Sequence, residues 1–297
     1  MTERVLVLNP KSGGGKRTDL TRKLAEAHDF AVRESTGPGG TYDLAHEAAV
    51  DGASMVVAAG GDGTLNEVVS AVDDAGTLGR TTLGVVPAGT GNNFADRIGI
   101  RGIEHSFKVL ESGRRRHLDL GDANGHTFVN SCVGGLTAEA SVATTPEMKR
   151  KWGVLAYVIA TLNEYRTFQG LDVEVRDEDG EDVWTGDAIG ILVGNGRRFV
   201  GEPGLQANME DGMLNVVLIE DRPGLSLASD EAVRRFLRRD ADHLTRILAP
   251  HLHLTVNGGT AAQFSLDGER IATDELTVRS RPRCMRFCVG ERYRPVP

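Results

Sequence analysis

Three times in the first hundred residues a short apolar run ends in a glycine-rich loop. Val5–Leu8 leads into Asn9-Pro10-Lys11-Ser12-Gly13-Gly14-Gly15-Lys16, and Met55–Ala59 leads into Gly60-Gly61-Asp62-Gly63-Thr64. Leu83–Val86 leads into Pro87-Ala88-Gly89-Thr90-Gly91-Asn92-Asn93. Uninterrupted apolar runs of this length read as strands of a parallel sheet covered on both faces. The segments between them carry helical spacing at Asp19–His28, Tyr42–Asp51 and Leu65–Val72, with a further strand-like run at Ala31–Ser35. Alternating strand, loop and helix predicts an α/β layer structure. In such a sheet the loops that follow the strands gather at the carboxyl edge, where ligands bind.

Beyond about Leu118 the texture changes to strand-like runs separated by Gly, Asp and Asn, among them Leu171–Arg176, Ala188–Val193, Leu214–Ile219, Leu252–Val256, Leu276–Val278 and Met285–Val289. This predicts a mainly antiparallel β-sandwich domain. Two helical segments are expected to interrupt it, Glu147–Phe168 and Asp230–Ala249, the latter with Val233, Phe236, Leu237, Leu244, Ile247 and Leu248 on one face. The expected division is therefore residues 1–122 as the α/β domain and 123–297 as the β-rich domain, its last strand packing back on the first.

Glycine in the loops lets backbone N–H groups approach phosphate oxygens, and a following helix points its positive end at an anion. The first loop is not a Walker loop, because Pro10 stands where Gly is required and Arg17 where Ser or Thr is required. The dinucleotide fingerprint fails too, since neither glycine cluster reproduces G-x-G-x-x-G. The carboxylate of Asp62, set among glycines and followed by Thr64, Asn66 and Glu67, would repel a bare phosphate, which points to magnesium or to acid–base work. Helix capping by Asp62 and Thr64 is the competing explanation.

Asn9-Pro10-x-Ser12-Gly13, Gly60-Gly61-Asp62-Gly63-Thr64-x-Asn66-Glu67 and Pro87-x-Gly89-Thr90-x-Asn92-Asn93-Phe94-Ala95 together resemble the diacylglycerol kinase catalytic family, which includes bacterial lipid kinases and sphingosine kinases. The Pro-x-Gly-Thr-x-Asn element separates the chain from NAD kinases and 6-phosphofructokinases, which share only Gly-Gly-Asp-Gly. The resemblance implies a nucleotide-binding α/β domain of NAD-kinase and diacylglycerol-kinase type. It implies ATP and Mg2+ as cofactors, with the nucleotide lying on Asn9, Ser12, Gly13, Thr36, Gly60, Gly61, Asp62, Gly63, Thr64, Asn66, Glu67, Gly89, Thr90 and Asn92. Asn93 replaces the commoner Asp of the motif. Asp211, with the carbonyls of Asn208 and Met213, resembles a structural magnesium segment, and Glu269 in Leu266-Asp267-Gly268-Glu269 matches the family's proton acceptor. Simple Asp-Gly turns are the alternatives at both places. The resemblance also places the reaction in the cleft between the two domains, with Asp62 and Glu269 as its catalytic carboxylates.

A net charge of −8 argues against a general nucleic-acid binder, which would normally present a basic face. No window approaches the ~20 apolar residues of a membrane span, and the first residues lack a signal-peptide pattern, so a cytoplasmic protein is expected. Three cysteines do not make a disulfide framework. A lipid alcohol acceptor implies transient contact with a membrane surface, for which Lys149, Arg150, Lys151 and the apolar residues after them, and the patch Arg234, Arg235, Arg238 and Arg239, offer basic and apolar groups. A buried helix and a solvated helix face explain the same residues. A soluble-substrate kinase such as an NAD kinase, an inactive lipid-binding protein and a homodimer all stay open.

Overall fold

The computed structural model describes residues 3–15, 17–135, 170–197, 207–221, 243–259 and 261–296. The expected helix Glu147–Phe168 and the Arg234–Arg239 patch lie outside them. The chain divides into two compact units, one comprising Met1–Leu120, Asn208–Asp211 and Arg281–Pro297, the other Gly121–Ala207 and Gly212–Ser280.

The first unit is built on a parallel sheet in the order β4-β3-β1-β2: β1 (Arg4–Leu8), β2 (Ala31–Glu34), β3 (Met55–Gly60) and β4 (Thr82–Pro87). Every residue of β3 and β4 is buried, as is β1 after Arg4, which is why these runs carry no polar alternation. Helices α1 (Thr18–Ala27), α2 (Gly40–Val50) and α3 (Asp62–Asp74) follow β1, β2 and β3 in turn. The helix α3 buries Leu65, Val68, Val69 and Val72, one apolar stripe at three- and four-residue spacing. A short α4 (Asn93–Arg97) and α5 (Ile103–Ser112) come next. Sequence reasoning passed over α5, although Ile103, Phe107 and Leu110, all buried, already carry its period.

The second unit is antiparallel. It contains β6 (His126–Phe128), β7 (Ser131–Gly135), β8 (Leu171–Arg176), β9 (Asp182–Gly194), β10 (Leu214–Glu220), β11 (Leu244–Ala249), β12 (His251–Val256), β13 (Ala262–Leu266) and β14 (Glu269–Thr273). β5 (Arg115–Ala123) and β15 (Glu275–Cys288) run through both units. Strand β9 is long enough to serve two partnerships: Asp182–Ala188 pair with β8, and Gly190–Gly194 pair with β7 on one side and β10 on the other. Phe128, Ile191, Val193, Val216, Leu218, Leu252, Leu254, Phe264 and Val278 form one buried core of this β-sandwich. Strand β15 pairs with β12 through Glu275–Arg279, and its Phe287 pairs with Leu83 of β4.

The α/β unit with parallel strands followed by the antiparallel sandwich is the expected architecture. One expected element is corrected. The segment Leu244–Ala249, read as the end of a helix, is strand β11, paired antiparallel with β10 from Leu244 opposite Ile219 to Ala249 opposite Leu214. Leu244, Ile247 and Leu248 fit a helical stripe, but Ile247 and Ala249 also fit a two-residue period and pack on the sandwich core, and long-range pairing decides between them. The remainder of that expected helix lies outside the described residues.

All three thiols, Cys132, Cys284 and Cys288, are free. Cys132 and Cys288 are buried and Cys284 half-buried; burial pushes the Cys284 thiol up to about 11 and raises the other two.

Candidate active site

The parallel register brings the ends of β1, β2, β3 and β4 to one edge, with Leu8 beside Glu34 and Ala59, and Gly60 beside Pro87. There the three loops touch backbone to backbone. A Cβ on Gly89 would fall 2.3 Å from Gly61 Cα, and one on Gly13, itself at φ +59°, would fall 2.5 Å from Ala88 O. No side chain fits at Gly13, Gly61 or Gly89 without parting the loops. Ala88 N donates to Gly60 O at 3.0 Å and Asp62 N to Gly91 O at 3.2 Å.

Side chains complete the joint. Asn9 Nδ2 donates to Thr64 Oγ1 at 3.3 Å, and Ser12 Oγ lies 3.4 Å from the same hydroxyl. Asn92 grips Gly89 from both sides, accepting from its N–H at 3.2 Å and donating to its carbonyl at 2.9 Å. Arg17, at the start of α1, donates through Nη1 to Pro87 O at 3.3 Å and Gly89 O at 3.4 Å. Sequence reasoning met Arg17 only as a mismatch to the Walker pattern and so missed this role.

Asp62 occupies the first turn of α3, yet its carboxylate serves a different helix. Its Oδ2 accepts from Asn93 N at 3.0 Å and Asn93 Nδ2 at 2.9 Å, and Oδ1 accepts from Phe94 N at 3.0 Å. The expected capping of α3 is not made, its N-cap being Gly61 with no side-chain bond; the carboxylate instead receives the first N–H groups of α4. One turn on, Asp96 has its carboxyl raised above the ordinary range by its burial and then by the charge of Asp62. Thr64 and Asn66 are buried at 5% and 6% exposure, and Asn66 Oδ1 has no hydrogen-bond partner, an acceptor left over at the ligand edge. Gly63 and Thr90 are exposed, Glu67 is half-buried, and Thr36 is exposed just beyond β2 on the same sheet edge.

In the second unit, Glu269 is exposed and opens β14 after a two-residue turn, Asp267 at φ +48° and Gly268 at φ +109°. Asp267 anchors this hairpin by accepting from three consecutive N–H groups, Val129 at 2.7 Å, Asn130 at 2.8 Å and Ser131 at 2.9 Å. The Asp-Gly turn is present as the simpler explanation required, and Glu269 rides on it.

Asn208, Asp211 and Met213 lie in the segment before β10, where Asn208 Oδ1 accepts from Glu210 N at 3.1 Å and Gly212 adopts φ +73°. Glu210 is paired with Arg116 at 2.9 Å. Oxygen donors of this kind suit a hard cation. Among the described residues no three His, Cys, Asp or Glu side chains gather as a metal cluster, so a cation here would rest on one carboxylate, backbone carbonyls and water.

A model of the diacylglycerol kinase catalytic domain matches residues 3–123, and one of the YegS C-terminal NAD kinase beta sandwich-like domain matches residues 130–289. The chain belongs to the YegS-like lipid kinase family. Membership makes it a phosphotransferase with an alcohol group as acceptor. Within the family, the "Probable lipid kinase YegS-like" of Yersinia enterocolitica is 31% identical over 95% of each chain. That of Cronobacter sakazakii is 31% identical over 93% of this chain and 92% of its own. A crystal structure of a diacylglycerol kinase from Bacillus anthracis has the same fold, with a TM-score of 0.74 at 22% identity over 97% of each chain.

Proposed function

We propose that this chain is an ATP-dependent lipid kinase that transfers the γ-phosphate to a hydroxyl of diacylglycerol or a related lipid alcohol at a membrane surface. The observation that carries the reading is the three-loop joint, in which Gly13 and Gly61 each lie against the backbone of the Ala88–Gly91 loop at the carboxyl edge of a parallel sheet. Such a joint offers N–H groups and a helix N-terminus to phosphate while excluding side chains. The unpartnered Asn66 Oδ1 adds a buried acceptor suited to a nucleotide donor.

Phosphoryl transfer asks a protein chiefly for position and charge neutralisation. Asp62 holds the second and third loops together, and Arg17 and Asn92 fix the Gly89 carbonyl, so the loops are preformed. Glu269, exposed on an anchored hairpin, is the proposed acceptor of the alcohol proton. Magnesium, when bound with the nucleotide, supplies charge to the phosphate oxygens. No helix among the described residues is long and apolar enough to cross a membrane. In this reading contact with lipid is peripheral.

The purified protein incubated with γ-labelled ATP, magnesium and a total lipid extract should place label in the organic phase, and Asp62→Ala and Glu269→Ala should abolish it. Label confined to water-soluble products would favour a soluble acceptor such as a nucleotide, and vesicle binding without turnover would indicate a lipid-binding protein. Either result overturns the proposal.

A further inference from the structure

The bond between Asn93 and Asp62 carries an inference that is independent of the acceptor's identity. Asp62 belongs to the loop after β3 and Asn93 to the loop after β4, so their contact ties together two segments 31 residues apart. Of the three N–H groups on the Asp62 carboxylate, two come from the backbone of α4 and one from a side chain, the Asn93 amide. The Gly91 backbone lies over this pair, and its carbonyl accepts from Asp62 N at 3.2 Å. Three N–H donors thus surround the carboxylate, and bonds of this kind to a charged acceptor are the stronger ones. We propose that Asn93 is a positioning residue whose amide locks the Gly60–Thr64 loop to the Pro87–Ala95 loop without a cation.

Asparagine here is the chain's departure from the commoner aspartate of the motif, and it changes the chemistry of the lock. A carboxylate at 93 would stand about 3 Å from Asp62, where two like charges persist only with a proton or divalent cation between them. The neighbouring Asp96 would make that crowding worse, with Arg97 the one cation beside it. N–H donors take three of the carboxylate's acceptor positions, two on Oδ2 and one on Oδ1. Asp62 orients the loops, and the lock requires neither nucleotide nor metal.

The test is thermal unfolding of the full chain without nucleotide, in EDTA and across a magnesium titration. The variants are Asn93→Asp, Asn93→Ala and the exchanged pair Asp62→Asn with Asn93→Asp. The Asn93→Asp protein should melt about 5 °C below wild type in EDTA and recover as magnesium saturates the carboxylate pair. Wild type and Asn93→Ala should share one smaller magnesium response. The exchanged pair restores an amide–carboxylate bond and should recover most of the loss in EDTA. An Asn93→Asp protein no more responsive to magnesium than Asn93→Ala overturns the proposal. Should Asn93→Asp fail to fold at any magnesium concentration, the exchanged pair decides: folding in EDTA supports the lock, and failure overturns it.

Discussion

Glycine positions in the second and third loops separate two jobs that look alike in sequence. Gly89 has no room for a Cβ, because Gly61 Cα stands 2.3 Å from where it would go, whereas a Cβ at Gly63 meets no protein atom within 4 Å. Gly89→Ala should part the loops, lowering kcat/KM for ATP by about 100-fold, since a displacement of ~1 Å costs that much. Gly63→Ala lies in the first turn of α3, where alanine is favoured over glycine by up to ~1 kcal/mol. It should fold at least as stably as the parent yet raise the KM for ATP, because the proposed function puts nucleotide in the open space the methyl enters. Thermal melts and ATP kinetics on the two variants check both halves, and a Gly63→Ala enzyme with unchanged KM would remove the nucleotide from this loop. At this scale the sequence was informative about which residues matter and less so about how. Asp62 stands out in the sequence as a candidate because it is a carboxylate among glycines, but its partner Asn93 is distant in sequence and joined to it only by the fold.

Elements were legible where one period dominates. The strands β1, β3 and β4, buried on both faces, and the stripe of α3 leave no alternative, whereas β11 carries residues compatible with two periods and takes its form from β10. The β13–β14 hairpin shows the same division. Asp-Gly announces its two-residue turn, with both residues at positive φ, but nothing local announces that Asp267 collects the N–H groups of Val129, Asn130 and Ser131. That anchor holds Glu269 in place. In Asp267→Asn one oxygen becomes an amino group facing the N–H donors, and unfolding in urea should show a loss of about 2–4 kcal/mol, the scale of one or two charge-assisted bonds. The kcat should fall with it while the KM for ATP holds. Glu269→Gln, by contrast, should lose kcat with stability unchanged, its side chain being exposed. Equal stability losses in the two variants would mean that Glu269 is part of the hairpin's support rather than carried by it.

At the scale of the whole molecule, the α/β unit is not contiguous in the chain, and of this the sequence suggested only a last strand packing back on it. Its helices and strands β1 to β4 come from the first 120 residues, but Arg281–Pro297 also belongs to it, Phe287 pairing with Leu83 of β4. Arg281 forms a two-bonded ion pair with Asp73 of α3, one bond at 2.7 Å. Phe287 packs edge-on to Phe94 of α4 with ring centroids 5.2 Å apart, and Tyr293 is 1% exposed. Arg114 ties down the Glu291 and Tyr293 carbonyls at 2.7 and 3.1 Å, and Gly290 N donates to Ile98 O at 2.8 Å. Met285, Phe287, Val289 and Tyr293 are all buried, each worth about 1.5–3 kcal/mol of apolar burial, so together they rival the ~5–15 kcal/mol that keeps a domain folded. Removing residues 281–297 should therefore leave the first 120 residues unable to hold a native sheet. The truncated chain is expected to lose cooperative melting and to bind a dye that seeks exposed apolar surface. The decisive control is Phe287→Ala in the full chain. It opens a cavity beside Phe94 and α4, so it should lower the melting temperature by several degrees, the scale of a ~3–5 kcal/mol core truncation. It should also weaken ATP binding through the displaced Asp62–Asn93 joint, and a truncated chain that melted cooperatively and bound ATP as the parent does would show that the first 120 residues fold by themselves.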